Sequence, residues 1–382
     1  MTTIHWIGTG LSSIPGLTKL IKDDHNVVVW NRTLATAQAA LAGLDADIRA
    51  FDIDVFADAL SEGDIAVSML PGDWHVPIAV KCISNNANFV SSSYISPEMR
   101  DLSSTAREKG LCFVNEVGLD PGIDHLMAHW LVDDYRKSDA YNADNELSFV
   151  SYCGGVPKIA NDFRYKFSWS PLGVLKALRS PSKSIKNFEP FDVARPWDAI
   201  STFDAPLAEN EAFEVYPNRD SLPFIEDYKF DADWKVKQFV RGTLRLNGWA
   251  KAWDHLFKEI ETLSGAEGDA RLKQISDELL AQHSYDEKEP DRVVLCVSLK
   301  AEDASGEAVY HKTYSLDAHG NEHGSAMAQL VSITVALAVQ SVMNNEIDAG
   351  VSAAPSSLPI VSNWMREIEK IAQYVEIKNL AK

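Results

Sequence analysis

Cysteine is scarce in this sequence. Its 382 residues hold four, Cys82, Cys112, Cys153 and Cys296, with no C-x-x-C spacing among them. The chain therefore suggests neither the clustered thiols of a zinc site nor a disulfide framework. Positive charge is also short: 36 Lys and Arg stand against 55 Asp and Glu, for a formal net charge of −19. That balance opposes nucleic acid and anionic membranes as partners, since both are gripped through basic patches. Any anionic ligand has to be met by individual arginines. Long hydrophobic runs are missing as well, and none reads as the roughly 20 apolar residues that span a bilayer. The first residues enter a strand pattern at once, without the basic region and apolar core of a signal peptide. The expectation is a cytoplasmic, reduced, globular protein, 46% hydrophobic and long enough for two or three domains.

What is present first is an alternation of strands and helices. Thr3-Ile4-His5-Trp6-Ile7 runs into Gly8-Thr9-Gly10-Leu11-Ser12-Ser13, and Ile14 to Ile21 carries helical apolar spacing. This is the strand, glycine turn and helix of a dinucleotide fold, in which Gly8 permits the tight turn and Gly10 the approach of a pyrophosphate. Ser13 stands where the third glycine usually lies. A second strand, His25 to Trp30, ends in Asn31-Arg32-Thr33. NAD-binding chains usually place an acid there for the ribose hydroxyls, whereas Arg32 and the Thr33 hydroxyl suit a 2′-phosphate, so the cofactor reading is NADP(H). Asp64 to Leu70 is a nearly continuous apolar run of the kind buried on both faces of a parallel sheet, and it ends in Pro71-Gly72-Asp73-Trp74-His75. Further short strands at Phe89-Val90 and Cys112 to Asn115 complete a Rossmann-type, doubly wound parallel sheet over residues 1–125.

Ser91-Ser92-Ser93-Tyr94-Ile95-Ser96-Pro97 delivers hydroxyl groups at a strand's carboxyl end, where open α/β sheets bind ligands. Ser96 before Pro97 predicts a helix N-cap; a plain serine loop with a cap is the alternative. Asp120-Pro121 predicts another cap and first turn, for a helix through Trp130. His125 and His129 lie one turn apart, but without the Glu of H-E-x-x-H, and no metal is assigned.

From Glu146 the pattern changes to alternating strands and longer loops, read as a second, α+β domain on a mixed sheet over 126–324, with a helical insertion near 246–285. Lys166, Arg219, Arg241 and Arg245 lie beside hydroxyl and glycine residues. In so acidic a chain they suggest a pocket for carboxylates, which arginine binds bidentately; taken singly, each also fits a surface ion pair. Val293 to Ala301 and Ala308 to Leu316 form an antiparallel pair. Residues 325–382 read as helices that return to the first domain.

Several long segments then carry a resemblance. They are Ser92 to Met99, Asn115 to His125, Tyr152-Cys153-Gly154-Gly155, Tyr165 to Ser170, Tyr216 to Ser221 and Arg241-Gly242-Thr243-Leu244-Arg245. In order and spacing the chain resembles the saccharopine dehydrogenase family. The resemblance implies NADP-linked cleavage of saccharopine and water to L-glutamate and 2-aminoadipate 6-semialdehyde, or the reverse condensation, in lysine metabolism, and a homodimer. By position it implies a substrate pocket of Ser93, Tyr94, Asp120, Cys153, Gly154, Arg219 and Thr243, to which the cation pattern adds Arg245. It implies a cofactor site at Gly10, Leu11, Arg32, Thr33 and Pro71; the strand and turn pattern adds Gly8, Thr9, Ser12 and Leu70. Tyr94, Asp120 and Lys166 are the candidates for proton transfer, and the sequence does not choose among them. Gly72-Asp73-Trp74 and a shortened region after Arg245 depart from the family pattern. A carboxynorspermidine dehydrogenase or lysine 6-dehydrogenase relative, and a non-catalytic NADP-binding regulator, remain as alternatives.

Overall fold

A computed structural model describes residues 2–287 and 289–381. The strands, in chain order, are β1 (Ile4–Ile7), β2 (Val27–Asn31), β3 (Asp47–Ala50), β4 (Ile65–Ser68), β5 (Asn88–Ser91) and β6 (Cys112–Val114). There follow β7 (Glu146–Pro157), β8 (Ser182–Lys186), β9 (Glu189–Val193), β10 (Ser201–Ala205), β11 (Glu211–Pro217) and β12 (Lys235–Leu246). The last four are β13 (Asp291–Glu302), β14 (Ala308–His319), β15 (Gly350–Ser352) and β16 (Tyr374–Asn379). The chain forms two compact units, one of residues 1–126 and 328–371, the other of 127–327 and 372–382.

The first unit is a seven-stranded sheet in the order β15-β6-β5-β4-β1-β2-β3, with every pairing parallel. Its central strands are apolar at consecutive positions because helices cover both faces, and all four residues of β1 and of β4 are buried. Trp30, Phe56, Ile78, Phe89 and Phe113 form much of the core. The helix Ile14–Lys22 packs unusually close to the helix Ala326–Met343: a Cβ at Gly16 would lie 1.9 Å from the Ser332 carbonyl oxygen, and the Gly16 N–H donates to Ser332 Oγ at 2.7 Å.

The second unit is a mixed sheet in the order β10-β11-β12-β7-β13-β14-β16, in which only β12 and β7 run parallel; β8 also pairs with β12 and with β9. Alternation gives it two faces. One buries Tyr152, Val156, Leu244, Val294 and Cys296 with Phe213 and Val215. The other carries Tyr216, which packs with Tyr165, Trp249, Trp253 and Phe257 of the insertion, built from the helices Trp249–Thr262 and Gly265–His283.

Four expectations change. Residues 325–382 do not all form helices on the first unit: Tyr374–Asn379 pairs antiparallel with β14 in the second sheet. Its residues Tyr374, Val375, Glu376, Ile377 and Lys378 end in a period-2 pattern, which outweighs the helical spacing just before it. Gly350–Ser352 adds a seventh strand to the first sheet. Asp120 is not a helix cap; the helix begins at Ile123, and the Gly118 N–H instead closes a tight loop onto the Pro121 carbonyl at 2.9 Å. Finally, Ala326–Met343 is by length and composition apolar enough to cross a membrane, but 83% of it is buried within the protein.

The Gly16 contact yields a direct test. Alanine normally favours a helix over glycine, yet Gly16→Ala should lower stability by about 2–3 kcal/mol, since backbone and not a flexible side chain occupies the new methyl's place. A chemical-denaturation midpoint equal to or above that of the unsubstituted protein would show that the two helices separate freely.

Candidate active site

Because its strands are parallel, the first unit brings the carboxyl ends of β1, β2, β4, β5 and β6 to one edge. Gly8 follows β1 with φ +104°, and a Cβ there would lie 3.1 Å from the Met69 carbonyl oxygen, so both conformation and crowding call for glycine. At Gly10 a Cβ would meet nothing within 4 Å, which leaves the turn open on that side. Ser13, at the third fingerprint position, donates its hydroxyl to the Gly8 carbonyl at 2.7 Å and accepts the Trp6 indole N–H at 2.8 Å. The close helix packing usually assigned to that third glycine belongs here to Gly16.

The turn suits a dinucleotide phosphate in several respects. The Thr9 hydroxyl is buried without a hydrogen-bond partner, Leu11 is 60% exposed, and the helix Ile14–Lys22 has no acidic residue in its first turn. Asn31 Oδ1 accepts the Thr9 N–H at 3.3 Å, while its amide donates to the Thr33 carbonyl at 2.8 Å, tying the turn to the end of β2. Arg32 is exposed and makes no ion pair among the described residues. Ser12 is half-buried in the turn; Leu70 is half-buried and Pro71 exposed after β4.

Between β4 and β5 the serine hydroxyls expected at the ligand edge meet a histidine to which the sequence pattern assigns no role. His75 is buried, its Nδ1 2.9 Å from Ser68 Oγ and its Nε2 2.8 Å from Ser93 Oγ, with Ser91 Oγ at 3.4 Å. Burial pushes its pKa down to about 4, against the weaker pull of Asp73. A neutral imidazole thus bridges hydroxyls from two neighbouring strand ends. The signal was present as Ser68, His75 and the serine run, but only the tertiary fold joins them. Tyr94 Oη donates to Asp120 Oδ1 at 3.3 Å, so two of the three proton-transfer candidates form a pair.

On the second unit, register places Tyr216, Thr243 and Cys153 side by side across β11, β12 and β7. Gly154 lets β7 approach β12, since a Cβ would lie 2.1 Å from the Leu244 carbonyl oxygen. Two residues beyond Thr243, on the same face, Arg245 is 5% exposed. Its guanidinium lies 4.9, 5.6 and 5.4 Å from the rings of Tyr165, Tyr216 and Trp249, and its Nε has no partner. Glu214, opposite Arg245 in register, spends its carboxylate on the Gly248 and Ala250 N–H groups at the start of the insertion. Aromatic faces therefore stabilise a buried cation that no carboxylate pairs with among the described residues. Arg241 is also buried, 3.9 Å over the Phe224 ring. Arg219 is exposed on a turn, at φ +57°, and its carbonyl accepts the Lys183 N–H at 2.8 Å.

Lys166, the third proton-transfer candidate, is held in an ion pair. Its ammonium donates to Glu289 Oε2 at 2.5 Å, with Asp286 at 3.9 Å. That ion pair ties the loop of Lys166 to the segment before β13. His125 and His129 likewise have other neighbours, Glu116 and Tyr228 respectively. Among the described residues no group of three or more His, Cys, Asp or Glu side chains is arranged to hold a metal ion.

The family model "Saccharopine dehydrogenase NADP binding domain" matches residues 4–114, and "Saccharopine dehydrogenase C-terminal domain" matches residues 118–372. Saccharopine dehydrogenase [NADP(+), L-glutamate-forming] of Saccharomyces cerevisiae is 36% identical over 254 residues, 64% of this chain and 54% of that protein. Its counterpart in Pyricularia oryzae is 34% identical over 251 residues, again 64% and 54%. Mitochondrial alpha-aminoadipic semialdehyde synthase of Bos taurus is 27% identical over 440 residues, 95% of this chain and 46% of that protein. The chain spans about half the length of the curated relatives it matches. Among solved structures, apo saccharopine dehydrogenase (L-Glu forming) from Saccharomyces cerevisiae superposes with a TM-score of 0.81 at 25% identity, covering 100% of both chains.

The His75 bridge makes stability depend on pH. The unfolded imidazole takes up a proton near pH 6.5 and the folded one only near pH 4, so this contribution is complete above 6.5 and is lost as pH falls through that window. The loss approaches about 3 kcal/mol, at 1.36 kcal/mol for each pKa unit. Urea-unfolding free energies of the protein and of His75→Gln, measured from pH 7.5 to 4, should converge towards the acid end. Parallel curves would mean that His75 titrates alike in both states.

Proposed function

The chain belongs to the saccharopine dehydrogenase family, and from that premise we propose that it catalyses NADP-linked oxidation of saccharopine. Saccharopine, water and NADP⁺ give L-glutamate, 2-aminoadipate 6-semialdehyde, NADPH and a proton, or the reverse. Relatives named for that reaction support the reading, as does the Tyr94–Asp120 pair at the ligand edge of the first sheet.

Bound nicotinamide cofactor supplies the redox chemistry, accepting hydride from the carbon attached to the secondary amine. The chain's own part is binding, orientation and proton handling. Gly8, Thr9, Gly10, Leu11 and Ser12 would cradle the pyrophosphate, and Leu70 and Pro71 would border it. Arg32, exposed and outside any ion pair among the described residues, would take the 2′-phosphate, aided by Thr33. Ser93, held by neutral His75, and Tyr94, hydrogen-bonded to Asp120, would orient substrate and pass protons as the imine is hydrated and the carbinolamine collapses. On the second unit, Cys153, Gly154, Thr243 and Arg245 are the substrate-binding candidates, and Arg219 offers a charge for a carboxylate. The same reading includes a homodimer and a cytoplasmic, reduced setting.

Three measurements bear on this. Purified protein with NADP⁺ and saccharopine should release glutamate; absence of turnover in both directions with both nicotinamide cofactors refutes the activity. Arg32→Ala should raise the KM for NADP⁺ about ten- to hundredfold, from one lost charged contact of about 1.5–3 kcal/mol, and leave NAD⁺ nearly unchanged. Equal losses would remove the 2′-phosphate argument. Arg219→Ala should raise the saccharopine KM about tenfold, a smaller effect than for a buried clamp because the side chain is exposed. An unchanged KM with a lowered melting temperature would instead make it a structural partner.

A further inference from the structure

One buried residue holds both peptide groups that flank Tyr94. The Glu116 N–H donates to the Ser93 carbonyl at 3.0 Å, and Glu116 Oε1 accepts the Ile95 N–H at 2.9 Å. Glu116 does so from a left-handed conformation, φ +56°, which costs a residue with a Cβ about 1–2 kcal/mol. It is also 5% exposed, and a carboxylate so buried must be compensated. Its other oxygen, Oε2, meets His125 Nε2 at 2.9 Å. The turn that presents Asp120 has a matching brace. Asp124, fully buried, accepts the Gly122 N–H at 2.7 Å, and its Oδ2 lies 3.7 Å from His125 Nδ1. One imidazole therefore lies between two carboxylates, of which one braces the Tyr94 loop and the other the Asp120 turn.

A loop needs no buried carboxylate merely to be held, because backbone pairing would do so without desolvating a charge. Strain and burial concentrated beside a reacting pair are what precise placement requires. We propose that Glu116 is a positioning residue that fixes the Tyr94 hydroxyl against Asp120, with His125 linking its brace to that of the Asp120 turn. The inference rests on the reading of Tyr94 and Asp120 as part of the saccharopine site.

The test uses the full chain with Glu116→Gln, Tyr94→Phe and the double variant. Glu116→Gln should lower kcat for saccharopine oxidation about tenfold to a hundredfold, the scale of a misplaced group, with NADPH affinity by fluorescence within about twofold. On the Tyr94→Phe background the same change should cost nothing further, because the brace then has no hydroxyl to place. If the two losses multiply, or NADPH binding falls in step with kcat, Glu116 is a general structural residue and the proposal fails. Should Glu116→Gln not fold, His125→Gln leaves both loop bonds of Glu116 in place, and its kcat loss should likewise vanish on the Tyr94→Phe background. Hydrogen exchange separates this idea from the activity itself. Either variant should speed exchange in the peptide spanning Ser93 to Ile95 and not in β1 or β4. Unchanged exchange there overturns the brace whatever the substrate proves to be, whereas an inactive unsubstituted protein whose loop still loosens would sink the saccharopine reading alone.

Discussion

Parallel strand order is the constraint on which the first unit depends. It requires a crossover after every strand, covers both faces with helices, and so makes the strands apolar throughout. It also collects every strand's carboxyl end on one edge. Gly8, Asn31, Ser68, Ser91 and Glu116 come from distant points of the sequence yet follow or end neighbouring strands there. Chemistry needing a glycine turn, hydroxyls and a carboxylate together is thereby assembled by topology before any side chain is selected.

Electrostatics then decides which groups can be kept at that edge and on the second sheet. With a net charge of −19, cations are the limiting resource, and the structure treats them in two ways. Lys166 and Arg292 are neutralised by carboxylates, the latter by Asp317 and Glu211 at 2.7 Å each, and act as ties. Arg245 is held by rings, and Arg32 stands in solvent, so neither charge is neutralised by a carboxylate among the described residues. An aromatic face offsets part of the desolvation of a guanidinium but does not neutralise it. Whether a cation here is neutralised is thus a property of its neighbours, not of residue type.

Much of the fold was legible because its signals are local. The glycine turn, the apolar run into Leu70, the Ser96 cap and the β13–β14 pair each lie within a few residues of sequence, and Ser96 does accept the Met99 N–H at 3.1 Å. What escaped is long-range or very short. Lys166 and Glu289 are separated by 123 residues, so nothing near Lys166 announces its occupation. Glu116 reads as an ordinary acid until its left-handed backbone sets it beside Ile95, 21 residues earlier. Three residues, Gly350–Ser352, carry too little pattern to be recognised as a strand without the edge of β6 to pair with.

Several buried polar residues share a physical character. His75, Glu116, Asp124 and Arg245 are polar groups at 6% exposure or less, and local propensity predicts none of them in a core. Each is stable there only through specific partners, and three of them act on the same short loops, which carry Ser93, Tyr94 and Asp120. A fold selected for stability alone would replace such groups with apolar ones of similar volume, often at no loss. His75, Glu116 and Asp124 are the ones that hold the loops carrying Ser93, Tyr94 and Asp120, and apolar side chains of the same volume could not make those bonds, so at these loops a desolvation cost is accepted in return for a fixed backbone.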